Sequence, residues 1–116
     1  MKYLLSIYCD EAADARKSKE ERTQEHAAYG AYTSDGIERG VILAGEALHP
    51  SSTATTVRVR NGNVLTSDGP FAESKEQVGG YYVVDCENLD EAIEWARRIP
   101  HAAQGAIEVR PVMVFS

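Results

Sequence analysis

The sequence predicts an α+β fold in which two helices cover one face of a β-sheet. Three observations favour it: strand-like alternation at both ends of the chain, two capped helices each followed by a strand, and a hairpin pattern between them. The 116 residues are 43% hydrophobic and 26% charged, which is ordinary for a globular protein. We expect one domain over residues 1–116, burying roughly two-thirds of its unfolded surface.

The first strand and the first helix follow from local patterns. Residues 3–9 place apolar or aromatic side chains on both strand faces, so we expect both faces to be covered. Ser18 and Glu21 have the S-x-x-E spacing of a capping box and predict a helix beginning there. Gly40 is predicted to end this helix, ahead of a strand over residues 41–44.

A β-hairpin is predicted in the middle of the chain. Asn61–Gly62 separates two β-rich runs, and both residue types tolerate the positive φ angles of a two-residue type I′ turn. Such a turn would place Val59 opposite Val64 and Arg58 opposite Leu65.

The remaining elements follow the same logic. A strand is predicted over residues 79–86, and Asn88 is predicted to cap a second helix that stops before Pro100. Alternation over residues 107–115 predicts a last strand, in which Pro111 is tolerable at a sheet edge or bulge.

The order of these elements matches a ferredoxin-like split βαβ fold with an inserted β-hairpin. Right-handed crossovers put both helices on the same face of the sheet. Two helices screen only that face, so apolar residues on the other face favour burial against a second copy of the chain. We therefore predict a homodimer packed sheet to sheet.

Charge and cysteine content exclude several classes of function. The net charge of −6 arises from 18 acidic and 12 basic residues, which disfavours nucleic acid and anionic membranes as partners. The sequence has no apolar run of ~18 residues. Cys9 and Cys86 form neither a CxxC nor a zinc-binding pattern. The expectation is a cytoplasmic protein without a metal or another cofactor.

The cysteines and histidines are predicted to be structural. Cys9 and Cys86 would end two central parallel strands about 5 Å apart, as buried and inert thiols, with a redox role as the less favoured alternative. His26, His49 and His101 lie in different elements without metal-ligand spacing, so they are predicted to be surface or capping residues.

The stretch Asp68–Tyr82 resembles the signature from which DGPF-domain proteins, a branch of the YCII-related family, are named. Residues 53–58, 89–92 and 107–112 resemble the family as well, so the similarity covers nearly the whole chain. The resemblance implies a dimeric α/β-barrel fold. Family members are widely treated as proteins of unknown function, with enzyme activity inferred from a pocket containing a His and an Asp. Some DGPF members accompany extracytoplasmic-function sigma factors.

The resemblance carries over to individual residues only in part. Asp10 resembles the acidic position that follows the first strand in YCII proteins. The position of the helix histidine, counted back from Gly40, is occupied by Tyr29, and His26 lies nearly one turn earlier. A His–Asp pair therefore does not transfer directly to this chain.

The favoured functional segment is Asp68–Gln77, where a carboxylate and a tight turn meet other polar groups. Asp68 or Glu73 would act as general base, and His26 is a further catalytic candidate. The candidate ligand-binding residues are Asp10, Arg58 (or Arg60), Lys75 and Tyr81. In the structural alternative, Asp68 caps its own turn and Phe71 anchors that turn in the core.

One feature of the sequence narrows these hypotheses. Gly79–Gly80 precedes a strand, which excludes a phosphate-binding loop and predicts a bulge or a close backbone approach. Two functions then stand: a cofactor-independent small-molecule enzyme or ligand-binding protein with a polar pocket near Asp68, or a non-catalytic homodimeric interaction module linked to sigma-factor regulation of transcription.

Overall fold

The computed structural model describes residues 1–115, which form an α+β fold of six strands and three α-helices. The strands are β1 (Lys2–Asp10), β2 (Ile42–Ala47), β3 (Thr55–Arg60), β4 (Asn63–Asp68), β5 (Glu76–Asp85) and β6 (Ala106–Pro111). The helices are α1 (Glu11–Ala15), α2 (Lys19–Glu38) and α3 (Leu89–Arg97). Short 3-10 turns occupy Ser51–Thr53 and Pro100–Ala103. No helix in the described part of the chain is long and apolar enough to cross a membrane.

The main sheet has the strand order β2-β5-β1-β6, and every neighbouring pair is antiparallel. This is the ferredoxin-like arrangement predicted from the sequence. The expectation that the two central strands are parallel is wrong. In a split βαβ unit the parallel strands are β1 and β2, and β5 lies between them, so β5 runs antiparallel to β1.

The reversed strand direction separates the two cysteines. Cys9 pairs with Gln77 at the end of β1, whereas the Cys86 amide donates to the carbonyl of Met1 at the strand's beginning. Both cysteines are buried free thiols. The prediction that they are neighbours is therefore wrong, whereas their burial is confirmed.

The core lies between the main sheet and helices α2 and α3. Leu5, Val84 and Ile99 are fully buried there. The Tyr32 hydroxyl donates to the Trp95 carbonyl over 2.8 Å, and the two rings meet edge to face. These contacts join α2 to α3 and satisfy the polar end of a buried aromatic side chain.

Local sequence signals at the helix ends are confirmed. Ser18 and Glu21 form both hydrogen bonds of the capping box at the start of α2. The chain leaves α2 through Gly40, whose φ of +72° is a left-handed conformation that glycine adopts without strain. Asn88 accepts from the Glu91 amide at the start of α3.

The predicted hairpin is present and has the predicted register. Asn61 and Gly62 have φ of 52° and 77°, and Val59 stands opposite Val64. Strands β3 and β4 form a separate two-stranded sheet with largely exposed side chains. Phe71, expected to anchor the following turn in the core, is 79% exposed, so that expectation is wrong.

The predicted irregularity at Gly79–Gly80 is a β-bulge. Ile7 pairs with Gly80 and Tyr8 with Val78, which leaves Gly79 as the extra residue on β5. A Cβ atom on Gly79 would lie 2.9 Å from Cys9 Sγ. The bulge thus makes room for the Cys9 side chain.

Substitutions at two other glycines, Gly105 and Gly30, test how closely the backbone is packed at these positions. A Cβ on Gly105 would stand 2.1 Å from the Tyr8 carbonyl oxygen, whereas one on Gly30, within α2, would have nothing within 4 Å. We expect Gly105→Ala to lower the free energy of unfolding by about 1–3 kcal/mol through overpacking. The matched Gly30→Ala should raise it by about 0.5–1 kcal/mol. Urea denaturation of both variants measures these changes, and equal stabilities would contradict the described packing.

Candidate functional site

A cleft of about 720 Å³ opens between α2 and the strands β1, β2 and β5. We call it the α2 cleft. Its lining is largely aromatic, apolar or glycine, with a smaller set of polar groups. Its lining includes Cys9, Glu25, His26, Tyr29, Tyr81, Tyr82 and His101.

Short-range contacts after β1 place Asp14 beside this cleft. The Asp10 side chain accepts from the Ala13 amide and caps the five-residue helix α1. Arg22 Nη2 donates to the carbonyl oxygens of Asp14 and Ala15 at the end of that helix. The turn between α1 and α2 is therefore held against the first turns of α2.

His101 lies at the centre of the site and is only 8% exposed. Its Nε2 is 3.2 Å from Asp14 Oδ2, and its Nδ1 is 2.6 Å from the Tyr29 hydroxyl. Because a carboxylate only accepts, the neutral ring donates from Nε2 to Asp14, and Nδ1 then accepts from Tyr29. The result is a continuous hydrogen-bond chain, which we call the Tyr29–His101–Asp14 chain.

Lys17 provides the positive charge that accompanies this chain. Its Nζ is 2.8 Å from Asp14 Oδ1 and also bonds the Glu25 carboxylate. Burial alone would raise the pKa of Asp14, but hydrogen bonds from Lys17 and His101 outweigh it and hold that pKa below its ordinary value. Burial lowers the pKa of Lys17, and its bonds to Asp14 and Glu25 more than reverse this. Both groups are therefore ionised at neutral pH.

The Tyr29 hydroxyl is protonated at neutral pH. Burial raises its pKa well above the usual tyrosine value, and the hydrogen bond with His101 only partly opposes this effect. Tyr29 lines the α2 cleft and also packs against the core. Its O–H donates to His101, and its oxygen can therefore accept a hydrogen bond or a proton from a molecule in the cleft.

Cys9 completes the cluster. Its Sγ atom, an Asp14 carboxylate oxygen and a His101 ring nitrogen all lie within 4.8 Å of one another. Burial raises the pKa of Cys9 to about 11, and the negative charges of Asp14 and Glu25 act in the same direction. The side chain is therefore a neutral thiol at physiological pH and a poor nucleophile.

The structure brings two of the sequence-predicted site residues to the cleft, His26 and Tyr81. Asp68, Glu73 and Lys75 are instead exposed, on β4 and on the segment that follows it.

The other two predicted ligand-binding residues have structural partners. Asp10 caps α1 and lies 3.9 Å from Lys75 Nζ. Arg58 stacks over the exposed Phe71 ring, with its Cζ atom 5.3 Å from the ring centroid.

Sequence reasoning missed Asp14 and misjudged His101. The prediction that His101 is a surface or capping residue is wrong, because its ring is buried between Tyr29 and Asp14. The acidic residue that contacts the histidine lies four positions after Asp10. Glu25 and Tyr29 share one face of α2 at i,i+4 spacing, and this was the signal available for a polar face toward the cleft.

The raised pKa of Cys9 predicts a pH dependence of stability. The pKa of the thiol is about 11 in the folded chain against an ordinary value of 9.0, so the unfolded chain loses its proton first. The contribution of Cys9 to stability is therefore constant below pH 9 and falls as the pH rises toward 11. We expect a loss on the order of 2 kcal/mol over that range. Urea unfolding of wild type and Cys9→Ser between pH 9 and 11 measures this loss. The same pH dependence of the unfolding free energy in both proteins would contradict the prediction.

Comparison with known proteins agrees with the resemblance noted in the sequence. The model of the YCII-related domain matches residues 1–116. An uncharacterised protein of Rhizobium meliloti (strain 1021) is 37% identical over 117 residues, covering 99% of this chain and 94% of that protein. Family match and extended identity together show that the chain belongs to the YCII-related family.

Proposed function

We propose that the protein is an enzyme that performs general acid–base chemistry on a small molecule bound in the α2 cleft. The observation that carries the proposal is the Tyr29–His101–Asp14 chain, which begins at a tyrosine of the cleft lining and ends at an ionised carboxylate. In this arrangement Tyr29 is the catalytic residue that touches the substrate. His101 and Asp14 act through it.

The chain supports proton transfer in both directions. Tyr29 passes its hydroxyl proton to His101 Nδ1 over 2.6 Å as its oxygen takes a proton from the substrate. Asp14, held ionised by Lys17, stabilises the imidazolium that forms. In the return step His101 gives its proton back to Tyr29, which protonates the product. No covalent intermediate is needed, consistent with Cys9 being a neutral thiol.

The cleft suits a small and mainly apolar substrate. Its volume of about 720 Å³ lies within the range of typical small-molecule sites. Tyr29 and Tyr82 provide aromatic surface, while Glu25 and His26 are polar groups in the same lining. A compact molecule with one exchangeable proton directed at Tyr29 matches this distribution.

Variants of the chain test this function against the sequence-based hypothesis centred on Asp68. A thermal-shift screen of metabolites identifies a ligand first, because one present at 100 times its Kd stabilises the fold by ~2.7 kcal/mol. For the conversion of that ligand, we expect Tyr29→Phe and His101→Gln to lower kcat by about 10²–10⁴-fold. The exposed Asp68→Asn should leave kcat and KM unchanged.

Circular dichroism provides the control, since Tyr29→Phe leaves His101 Nδ1 without its partner at a cost of about 1–3 kcal/mol. Unchanged kcat in folded Tyr29→Phe would refute the role of the chain. Loss of activity in Asp68→Asn would instead support a site near Asp68.

The second part of the proposal is a homodimer packed sheet to sheet. On β1, Tyr3, Leu5 and Ile7 are buried against the helices, but the alternate residues Leu4 and Tyr8 are only half-buried. Val83 and Tyr81 continue this half-buried surface on β5, opposite Leu4 and Ser6. Burying these side chains against a second copy would cover both faces of the strand, as its sequence pattern predicts.

Sedimentation velocity tests the dimer and locates its interface. We expect wild type to sediment as a dimer at micromolar concentration, and Val83→Lys to sediment as a folded monomer because a charge on the interface must be desolvated. Val59→Lys, on the exposed hairpin, is the matched control and should remain dimeric. A monomeric wild type would refute the dimer, and dissociation by Val59→Lys alone would place the interface on the hairpin.

A second candidate function is a protein-interaction module, favoured by the hairpin of β3 and β4. Val57, Val59 and Val64 are 59%, 58% and 67% exposed. A two-stranded hairpin is marginally stable in water and gains from a covering partner. A sigma factor is the partner class suggested by the family resemblance. In this case Val59→Lys would abolish sigma-factor binding, whereas Tyr29→Phe would not.

A further inference from the structure

We propose that Cys9, Asp14 and His101 bind a divalent cation of the zinc class. The ligand atoms of these residues lie within 4.8 Å of one another, and Cys9 and His101 are 6% and 8% exposed. Tetrahedral zinc ligands at 2.0–2.3 Å from the ion stand roughly 3.3–3.8 Å apart. Small side-chain rotations would therefore close the cluster around an ion.

The chemistry of the donor atoms selects the metal. Thiolate, imidazole and carboxylate together match zinc and cobalt, whereas magnesium and calcium prefer oxygen ligands alone. Glu25 Oε2 is 3.8 Å from His101 Nε2, so this carboxylate or a water molecule is available for the fourth position. The site remains next to the α2 cleft, which Cys9, Glu25 and His101 all line.

Neighbouring groups are arranged to orient the ligands. With an ion on Nε2, the ring carries its proton on Nδ1 and donates to the Tyr29 oxygen 2.6 Å away. Lys17 donates to Asp14 Oδ1, which leaves Oδ2, the oxygen nearer His101, for the metal. Both ligating side chains thus have a hydrogen-bond partner on the side away from the ion.

The charges also balance in the bound state. Asp14 and Glu25 carry two negative charges and Lys17 one positive charge, and deprotonation of Cys9 adds another negative charge. A divalent cation neutralises the net charge of −2 that remains. Binding releases one proton from the Cys9 thiol to solvent, while the histidine proton moves from Nε2 to Nδ1.

This inference does not depend on the proposed enzyme activity, but it constrains that activity. An ion on Nε2 replaces the hydrogen bond between His101 and Asp14. The Tyr29–His101–Asp14 chain is then interrupted, so a bound metal and proton transfer through His101 are mutually exclusive states. Zinc bound at this site would therefore inhibit the proposed enzyme activity.

Cobalt titration tests the site without any substrate. The tag-free, reduced protein is titrated with Co²⁺ and the thiolate-to-cobalt charge-transfer absorption is recorded. We expect a band that saturates at one ion per chain, bleaches on addition of Zn²⁺ and is unaffected by Mg²⁺. Cys9→Ser should abolish the band, and Cys86→Ser, which removes the buried thiol at the far end of β1, should retain it.

Two further variants separate a metal site from a fold defect. Tyr29→Phe keeps all three ligands and should weaken Co²⁺ binding by about 10–100-fold, because it removes the hydrogen bond that orients the His101 ring. His101→Gln should lose the tight site while retaining both thiols. Melting temperatures without metal verify folding. Absence of the band in folded wild type, or its persistence in Cys9→Ser, would overturn the proposal, whatever the outcome of the activity assays.

Discussion

The antiparallel pairing of β1 with β5 determines where the candidate site lies. This pairing runs the length of β1, and its single shift in register, at Gly79, makes room for Cys9 at the strand's end. The chain then turns into α1 under the Asp10 cap, which carries Asp14 toward His101. Had β5 run parallel to β1, Cys86 would stand at this end of the sheet. The antiparallel direction of β5 therefore places Cys86 at the other end of the sheet and leaves Cys9 as the thiol beside His101.

The site depends on a partly buried charge that is stabilised from two sides. Asp14 would resist ionisation if burial acted alone, and hydrogen bonds from Lys17 and His101 reverse that preference. Removing either partner would leave a charged group poorly solvated, which costs more than the hydrogen bond itself contributes. The cluster is consequently coupled: its stability, the tautomer of His101 and the proton on Tyr29 change together, so effects of substitutions within it will not add.

Features that depend on residues close in sequence could be predicted, whereas features that depend on distant residues could not. Ser18, Asn88 and Asn61–Gly62 act on backbone groups within a few residues, and their predicted caps and turn are present. The surroundings of His101 depend on Tyr29 and Asp14, which are 72 and 87 positions away. Strand direction likewise depends on pairing between distant parts of the chain, where no local pattern operates. Asp10 and Asp14 illustrate the limit: Asp10 ends β1 and Asp14 lies four residues later, and only the tertiary fold shows that the first caps a helix while the second contacts the histidine.

Tyr29 gives the site its particular chemistry. It occupies the α2 position where the family resemblance places a histidine, and the imidazole comes instead from His101, in the turn after α3. Because its pKa is raised, a tyrosine at that position keeps its proton at neutral pH. An imidazole there would instead change its charge close to neutral pH. Because the hydroxyl can either donate to His101 or accept from it, the same side chain serves both proton transfer and orientation of a metal ligand. The occupant of His101 Nε2, a proton or an ion, then decides which role Tyr29 has.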